Sequence, residues 1–216
     1  GVDVDGQEHT ALSAIVATGR VPKRLAVSNP NLRGVHFCSI CDGPLYRGKK
    51  ATLAVVGSDN TAAQHALTLS RTADKVLLIC RSNTLKMDAV HKDQIERQNN
   101  IKLMADTEVS GYSGEECVET IEVEGKEKGR QDLAVDGIFL AIGWRPNISA
   151  LKLEVQKTAE DYLQTNAKLM TSVPGLFAAG DVRDTDMWQV LTACADGARA
   201  AKYAAEYLEK IAQPNG

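Results

Sequence analysis

The sequence predicts an α/β fold with a doubly wound parallel sheet. Short apolar, β-branched runs recur between turn residues, and such runs are typical of strands that are buried on both faces. Segments with helical spacing separate several of these runs, so strand and helix alternate along the chain as they do in a parallel sheet. The predicted strands are residues 13–17, 52–56, 76–79, 101–104, 118–123 and 137–142.

The middle of the chain predicts the unit around which this fold is built. A helix is expected over residues 61–71, and a more polar helix over residues 89–98. With the strands on either side, these helices form a βαβαβ half of a three-layer, Rossmann-like nucleotide-binding domain. The apolar residues at helical spacing in the first helix are Ala62, Ala66 and Leu69.

The second half of the chain changes in character. Residues 111–131 mix Gly, Glu and Lys around one short strand, which indicates a solvated β-meander. After a turn at 143–147, an irregular stretch leads to a strand over 176–179 and an Ala-rich helix over 188–211. We expect that helix to bury one apolar stripe, formed by Leu191, Ala195, Ala198, Ala201, Ala205 and Leu208.

Composition excludes several classes of function. The chain has 216 residues, 44% of them hydrophobic, and a net charge of −3 without blocks of like charge, which disfavours nucleic-acid and membrane-surface binding. No apolar run is long enough to predict a transmembrane helix, and the acidic N-terminus, which lacks Met, does not resemble a signal peptide. We interpret Gly1 as a cut end. Five cysteines at uneven spacing predict a reducing compartment, the cytoplasm.

The cysteine pair Cys38-Ser-Ile-Cys41, followed by Asp42, is the most informative motif. Cysteines at this spacing can close a reversible disulfide, and we expect Cys41 to open a helical turn whose partial positive charge lowers a thiol pKa. Asp42 adds a carboxyl group that can transfer the proton needed by a leaving thiolate. The alternatives are half of a zinc site, for which a second ligand pair is missing, and an inert thiol pair. The other cysteines, expected to be small buried apolar residues, are Cys80, Cys117 and Cys194.

A glycine loop follows the strand over 52–56. Gly57 opens the helix that follows this strand, which is where a dinucleotide pyrophosphate binds a helix N-terminus. Asp59 stands where the G-x-G-x-x-G/A pattern has its second glycine, so its carboxylate would repel the phosphates. The alternative is that Gly57 only serves a tight turn between strand and helix.

Two further positions carry chemistry of the same kind. Arg81 follows the next strand, and with Lys86 it is placed to meet a 2′-phosphate, although exposed cations are commonly solvated surface. Asp181 follows Gly180 at a strand end, where flavoproteins use an Asp to accept a hydrogen bond from a cofactor hydroxyl; the alternative is a helix cap. Thr18-Gly19 is a similar buried strand that turns at glycine.

Taken in order, these motifs resemble those of the low-molecular-weight thioredoxin reductases, in the flavin-dependent pyridine nucleotide disulfide oxidoreductase class. The resemblance covers nearly the whole chain, and it extends to the flavin-containing reductase portion of the alkyl hydroperoxide reductases. The motifs that carry it are Ala17-Thr18-Gly19, Cys38-x-x-Cys41-Asp42-Gly43, Tyr46-Arg47-Gly48-Lys49-Lys50, the Gly57 loop, Gly143-Trp144-Arg145-Pro146-Asn147, Gly180-Asp181-Val182 and Gln189-Val190-Leu191-Thr192.

The resemblance implies a division into three segments. Residues 1–23 correspond to a partial segment of the FAD domain, 24–143 to an NAD(P)-type Rossmann domain carrying the cysteine pair, and 144–216 to the C-terminal part of the FAD domain. The FAD-binding βαβ unit that begins the family's members is missing before Ala14, so we expect the chain alone not to retain FAD tightly. The family rotates one domain against the other, with the hinge expected near 21–30 and 143–147. A homodimer is also implied.

The resemblance further implies a path for electrons. A donor reduces FAD, FAD reduces the Cys38–Cys41 disulfide, and the dithiol reduces a thioredoxin-like protein. In this scheme Cys41 faces the flavin, Cys38 attacks the partner disulfide and Asp42 donates a proton. The cofactor-binding residues carried over for FAD and NADPH are Thr18, Gly19, Gly57, Asn60, Thr61, Ala62, Arg81, Lys86, Gly180, Asp181, Gln189 and Val190.

Three departures from the family pattern leave the electron donor open. The first is Asp59, the second is Ser82 at a position where NADPH-specific members have Arg, and the third is Trp188 in place of a flavin-contacting Arg. The alternatives are therefore a disulfide reductase that receives electrons from a donor such as ferredoxin, and a non-catalytic binding domain derived from the same fold.

Overall fold

The structure, a computed structural model, describes residues 2–27, 32–126 and 129–213. The chain divides into two compact units: unit 1 is Gly1–Val21 with Trp144–Gly216, and unit 2 is Pro22–Gly143. Part of the expected hinge segment, residues 28–30, lies outside the described residues.

Strands alternate with helices along part of unit 2 but not in unit 1. Two short 3₁₀ turns, Gly43–Tyr46 and Gly180–Val182, complete them. In chain order the elements are β1 (Val2–Val4), β2 (Gln7–His9), β3 (Ala14–Val16), β4 (Arg20–Pro22), β5 (Val35–His36), α1 (Ser39–Asp42), β6 (Thr52–Val56), α2 (Asn60–Leu69), β7 (Lys75–Ile79), α3 (Ala89–Glu96), β8 (Ile101–Met104), β9 (Thr107–Ser113), β10 (Thr120–Gly125), β11 (Gly129–Ala134), β12 (Gly137–Leu140), β13 (Trp144–Pro146), β14 (Leu176–Ala178) and α4 (Val190–Ala212).

Unit 2 confirms the predicted α/β class. Its five-stranded parallel sheet has the order β5-β12-β6-β7-β8, and β6-α2-β7-α3-β8 is the predicted βαβαβ half. One face of the sheet packs on α2, which buries Ala62, Ala66 and Leu69 as its apolar spacing predicts. The other face packs on the three-stranded antiparallel sheet β11-β10-β9, so the three layers are helices, parallel sheet and meander.

The strand predicted over 118–123 is observed in the meander expected over 111–131, and its assignment to the parallel sheet is wrong. The observed strand, β10, pairs with β9 and β11 in antiparallel register and has no place in the parallel sheet. The reason lies in its alternation, because Ile121 and Val123 are buried whereas Glu124 is exposed. A strand with one buried and one solvated face suits an antiparallel sheet. The meander consequently has three strands where one was expected.

In unit 1, β3 and β14 form a parallel pair, with Ala14 opposite Leu176. Helix α4 packs on this pair with a face other than the one predicted, since its buried residues are Asp196, Ala200 and Ala204. Residues Leu191, Ala195 and Ala198 of the expected stripe are exposed. Alanine occurs on every side of α4, so apolar spacing does not single out one face. In the described residues, no helix has the length and apolarity needed to span a bilayer.

Candidate functional site

The cysteine pair lies in unit 2, at the start of α1. Cys38 and Cys41 form a disulfide with a Cα–Cα distance of 5.3 Å. Cys38 is the N-cap residue of α1, with extended backbone, and its Sγ accepts a hydrogen bond of 3.1 Å from the Cys41 N–H. The expectation that Cys41 opens the turn is therefore wrong, because the extended dihedrals and the acceptor atom of an N-cap belong to Cys38. An N–H donor on this sulfur favours its thiolate form when the pair is reduced.

The remaining cysteines have different surroundings. Cys80 is fully buried as expected, and burial raises the pKa of its thiol to about 11. Cys117 is half-buried, and Cys194 is exposed on α4, so the prediction that it is buried is wrong. Among the described residues, no group of three or more His, Cys, Asp and Glu side chains is placed to hold a metal ion.

Asp42, which follows the pair, contacts His36, a residue that the sequence did not single out. Its Oδ2 lies 3.2 Å from Nδ1 of His36, and Nε2 of His36 lies 2.8 Å from the hydroxyl of Tyr46. The His36 ring stacks on Phe139 of β12, with a centroid distance of 4.7 Å. Burial lowers the pKa of His36, an effect that the charge and hydrogen bond of Asp42 oppose. Burial also raises the pKa of Tyr46 to about 12.

The Gly57 loop connects β6 to α2, as predicted. Gly57 has a φ of +151°, and a Cβ there would overlap the carbonyl oxygen of Ala141 and lie 2.9 Å from Cβ of Ala62. Its carbonyl accepts a hydrogen bond of 3.1 Å from the Cys80 thiol. Close packing of the loop against the end of β12 thus requires a glycine at this position.

At the start of α2, the side chains of Asp59 and Asn60 form hydrogen bonds with other residues of the chain. Asp59 is the N-cap residue of α2, and its Oδ1 accepts a hydrogen bond of 3.0 Å from the Ala62 N–H. The Asn60 side chain donates to Asp88 at 2.9 Å and accepts from the Asp88 N–H at 2.8 Å. The carboxylate of Asp59 therefore occupies a donor of the kind that would otherwise bind a phosphate.

The other residues predicted for nucleotide binding surround this loop. The Lys86 backbone N–H donates to the Ser58 carbonyl at 2.8 Å, which brings Lys86 to the Gly57 loop. The side chains of Arg81 and Lys86 are exposed, as is that of Thr61. The structure thus places the loop and its flanking cations in one region of unit 2.

A second group of predicted residues meets in unit 1, around a cleft of about 460 Å³. It forms where the 3₁₀ turn after β14 approaches the N-terminus of α4. Thr18 is not among the lining residues; its carbonyl accepts a hydrogen bond of 3.3 Å from the Asn147 amide. The lining residues that the sequence predicted are Gly19, Gly180, Asp181, Gln189 and Val190.

Arg20 is a charged lining residue of this cleft that sequence reasoning missed. Its Nε lies 3.2 Å from Oδ2 of Asp181. Its guanidinium lies 4.7 Å from the ring centroid of Trp144 and 4.9 Å from that of Trp188. Cation–π contacts with two indoles hold the guanidinium in place, so Trp188 contributes an aromatic surface where the family pattern has a cation. The Trp188 Nε1 is buried and has no hydrogen-bond partner in the described structure.

A buried carboxylate shapes the same cleft from α4. Asp196 accepts hydrogen bonds from the Gly180 N–H at 3.3 Å and from Nε of Arg183 at 2.5 Å. At the start of α4, the Gln189 N–H donates to the Thr192 hydroxyl at 3.1 Å, and this hydroxyl donates to the Gln189 carbonyl at 2.9 Å. These contacts fix the turn that carries Asp181 against the helix N-terminus. The sequence contained no signal for Asp196, because a carboxylate within an Ala-rich helix is ordinarily exposed.

Known proteins match the chain along almost its entire length. The pattern of the family described as pyridine nucleotide-disulphide oxidoreductase matches residues 1–197. A thioredoxin reductase of Treponema pallidum is 34% identical over 94% of this chain and 66% of its own length. A thioredoxin reductase of Coxiella burnetii is 33% identical over 97% of this chain and 69% of its own length. A 34.2 kDa protein of the Clostridium pasteurianum rubredoxin operon is 34% identical over 90% of this chain and 64% of its own.

Solved structures agree with this relationship. The thioredoxin reductase of Lactococcus lactis, in its FR conformation, matches with a TM-score of 0.72 at 27% identity, over 92% of this chain and 66% of that chain. The thioredoxin reductase of T. acidophilum matches with a TM-score of 0.71 at 28% identity, with the same coverage of 92% and 66%. The chain thus spans about two thirds of the length of the relatives it matches. It belongs to the pyridine nucleotide-disulphide oxidoreductase family and is similar to its thioredoxin reductases.

Proposed function

We propose that this protein is a flavin-dependent thiol–disulfide oxidoreductase that passes electrons through FAD and the Cys38–Cys41 disulfide to a thioredoxin-like protein. The observation that carries the proposal is the disulfide at the start of α1, with a hydrogen-bond donor on the Cys38 sulfur and the Asp42 carboxyl after Cys41. The similarity to thioredoxin reductases supports the choice of partner.

The thiol–disulfide exchange can be written with Cys38, Cys41 and Asp42 alone. The Cys38 thiolate attacks the partner disulfide, so one S–S bond breaks and a mixed disulfide forms. Cys41 then attacks Cys38 in this mixed disulfide, which closes Cys38–Cys41 again and releases the partner as a dithiol. Two electrons pass to the partner, whose two leaving thiolates take up two protons, and Asp42 is positioned by sequence to donate one of them.

The cleft in unit 1 fits one side of a flavin nucleotide. Gly19 has open space where a Cβ would stand, so the backbone there is accessible to a ligand. The buried, unpartnered Nε1 of Trp188 is a free hydrogen-bond donor beside the cleft. We infer that Asp181, Gln189 and Val190 would contact FAD here. When bound, FAD supplies the electron pair that reduces the disulfide.

The donor that reduces the flavin is a separate question, and we propose that it is not NADPH. The supporting observation is the Asp59 carboxylate on the Ala62 N–H, at the helix start where a pyrophosphate would bind. A small iron–sulfur protein such as ferredoxin is the alternative donor, while Arg81 and Lys86 favour NADPH over NADH should any nicotinamide bind.

The redox role of the cysteine pair is tested by titration. Equilibration against mixtures of reduced and oxidised dithiothreitol should show Cys38 and Cys41 changing state together as one two-electron couple. Replacing Cys38→Ser should abolish reduction of a protein disulfide, whereas the control Cys194→Ser should leave it unchanged because Cys194 is an exposed thiol that does not line the cleft. A disulfide that resists reduction until the protein unfolds would show that the proposal is wrong.

Calorimetry tests the donor. We expect weak or undetectable NADPH binding to the wild type and about hundredfold tighter binding to Asp59→Gly, since a charge repulsion of roughly 3 kcal/mol is removed. Adding Ser82→Arg should tighten it further. The control Asp93→Asn removes an exposed carboxylate of α3 and should have no effect. Micromolar binding that Asp59→Gly leaves unchanged would restore NADPH as the donor.

We also propose that the protein is cytoplasmic and forms a homodimer. Leu191, at the start of α4, is 77% exposed and does not line the cleft, which suits a surface covered by a second copy. Light scattering after size-exclusion chromatography measures the mass in solution. Replacing Leu191→Ser should lower that mass from the dimer toward the monomer, and an unchanged mass would show that Leu191 is not in the interface.

A further inference from the structure

A chain of three hydrogen-bonded side chains leads from the turn after the cysteine pair into the core of unit 2. Asp42 contacts His36, with Oδ2 3.2 Å from Nδ1, and His36 contacts Tyr46, with Nε2 2.8 Å from the hydroxyl. The thiol–disulfide exchange described above assigns no role to His36 or Tyr46.

The polarity of this chain follows from the protonation of its members. Burial keeps the Tyr46 phenol protonated, so its O–H donates to Nε2 of His36. Burial also favours the neutral imidazole, whose single proton then lies on Nδ1. Nδ1–H therefore donates to Oδ2 of Asp42. A carboxyl oxygen accepts this hydrogen bond whether the group is protonated or ionised, so His36 holds Asp42 in place in both states.

The imidazole has little freedom to leave this position. Its side chain is 12% exposed, and its ring stacks on Phe139 at an interplanar angle of 27°. His36 and Phe139 are also paired in the parallel register of β5 and β12. Gly137 leaves room for the phenol, because a Cβ there would overlap the Tyr46 hydroxyl.

Two elements packed against His36 carry titratable groups in the part of the chain that the structure describes. Asp42 on α1 and Tyr46 on the 3₁₀ turn contact it directly, and Phe139 on β12 presents an uncharged ring. Asp136, which precedes β12, and Cys117, between β9 and β10, act on Tyr46. Asp42 is thus the charged group in direct contact with His36.

We propose that His36, held by Tyr46, positions the Asp42 carboxyl as the proton donor for thiol–disulfide exchange at Cys38–Cys41. The inference rests on the proposed function, in which Asp42 protonates a leaving thiolate. In that step the O–H bond of Asp42 breaks and an S–H bond forms, and no electrons leave Asp42. The Nδ1–H of His36 keeps the carboxyl in one position before and after the proton leaves, and solvent returns the proton to Asp42, which is 36% exposed.

Two small disulfides separate proton donation from sulfur attack. The full chain is reduced with dithiothreitol, freed of it, and mixed with bis(2-hydroxyethyl) disulfide or with 5,5′-dithiobis(2-nitrobenzoic acid). The first releases an alkyl thiolate that needs a proton, whereas the second releases an aryl thiolate that leaves without one. We expect His36→Ala to slow the first reaction about tenfold, part of the 10²–10⁴ that direct proton donation contributes, and to leave the second within about twofold.

Three further variants identify the interaction. His36→Asn keeps an N–H donor near Nδ1, so it should recover most of the rate, and Tyr46→Phe should lose a smaller part than His36→Ala. His65→Asn is the matched control, because His65 is a half-buried histidine of α2 whose pKa burial also lowers. It should change neither reaction.

A double-mutant cycle decides whether His36 acts through Asp42. In an Asp42→Asn background, His36→Ala should have no further effect on the alkyl disulfide. Equal slowing of both disulfides, an undiminished effect in that background, or no effect at all would each overturn the inference while leaving the proposed function intact. A wild type that reduces neither disulfide would instead overturn the proposed function, and this inference with it. If His36→Ala does not fold, the comparison of His36→Asn and Tyr46→Phe with wild type carries the test.

Discussion

At Gly57 the backbone leaves no room for a side chain. A Cβ would overlap the Ala141 carbonyl oxygen and lie 2.9 Å from Cβ of Ala62, at a positive φ that L-residues rarely adopt. The sequence located this glycine through the G-x-x-x-x-A spacing. The packing requirement, however, depends on β12, which follows much later in the chain.

Gly57→Ala should therefore destabilise unit 2 by at least about 2 kcal/mol, through strain and overlap together. Urea unfolding measures this loss. The matched control is Gly48→Ala, because Gly48 also has a positive φ but no atom within 4 Å of a built Cβ. We expect it to cost roughly 1 kcal/mol, and equal losses for both variants would contradict the role of the overlap.

The titration of His36 is a second property of single residues. Burial lowers its pKa, and the charge and hydrogen bond of Asp42 act in the opposite direction. Asp42→Asn removes the charge, so the pKa of His36 should fall further while that of His65 stays unchanged. NMR titration of the imidazole resonances measures both values. A rise in the pKa of His36 would contradict the contact with Asp42.

At the scale of elements, α4 is positioned by a buried ion pair as well as by apolar packing. Asp196 links α4 to the 3₁₀ turn Gly180–Val182 through the Gly180 N–H and the guanidinium of Arg183. The predicted stripe lies on a different side of the helix. The spacing of the alanines does not indicate which side of α4 faces the protein, whereas the two hydrogen-bond partners of Asp196 fix that side.

Asp196→Ala should lower the stability of unit 1 by about 3 kcal/mol, because it leaves the Arg183 charge uncompensated in a largely buried place. Glu206→Ala is the matched control: Glu206 is also a carboxylate of α4, and it pairs with Lys168 and Lys202 at 3.4 and 3.8 Å on the surface. Its loss should cost less than about 1 kcal/mol. Chemical unfolding followed by tryptophan fluorescence measures both, and similar losses would contradict the structural role of Asp196.

For the whole molecule, the division into two units makes a spectroscopic prediction. Each unit has its own apolar clusters, and both tryptophans of the sequence, Trp144 and Trp188, belong to unit 1. Tryptophan fluorescence therefore reports on unit 1, whereas far-UV circular dichroism reports on both units.

Leu78→Ala should remove about 2–5 kcal/mol from unit 2, since Leu78 is fully buried beside α2. We expect the transition seen by circular dichroism to move, and the fluorescence transition to stay in place. Leu163→Ala, at a fully buried position of unit 1, is the control that should move the fluorescence transition. If Leu78→Ala moves both transitions together, the two units unfold as one.

Local patterns were sufficient for much of this protein. The βαβαβ alternation, the glycine turn at Gly57 and the Cys38-x-x-Cys41-Asp42 motif depend on residues close together in the chain, and the structure contains the first two as predicted. Five of the residues predicted to bind a cofactor line one cleft of unit 1. Periodicity and turn chemistry are encoded within a few residues, which is why the sequence alone reveals them.

The tertiary structure decided the contacts between segments that are distant in sequence. It left β10 out of the parallel sheet, turned Asp196 of α4 inward, brought Arg20 over two indoles and joined His36 to Asp42 and Tyr46. Each of these depends on which surfaces meet when strands and helices pack, and side-chain spacing along one segment holds no information about a partner segment. The Cys38-x-x-Cys41 motif therefore located the disulfide from the sequence alone. Only packing determined that His36 is the side chain that holds the Asp42 carboxyl.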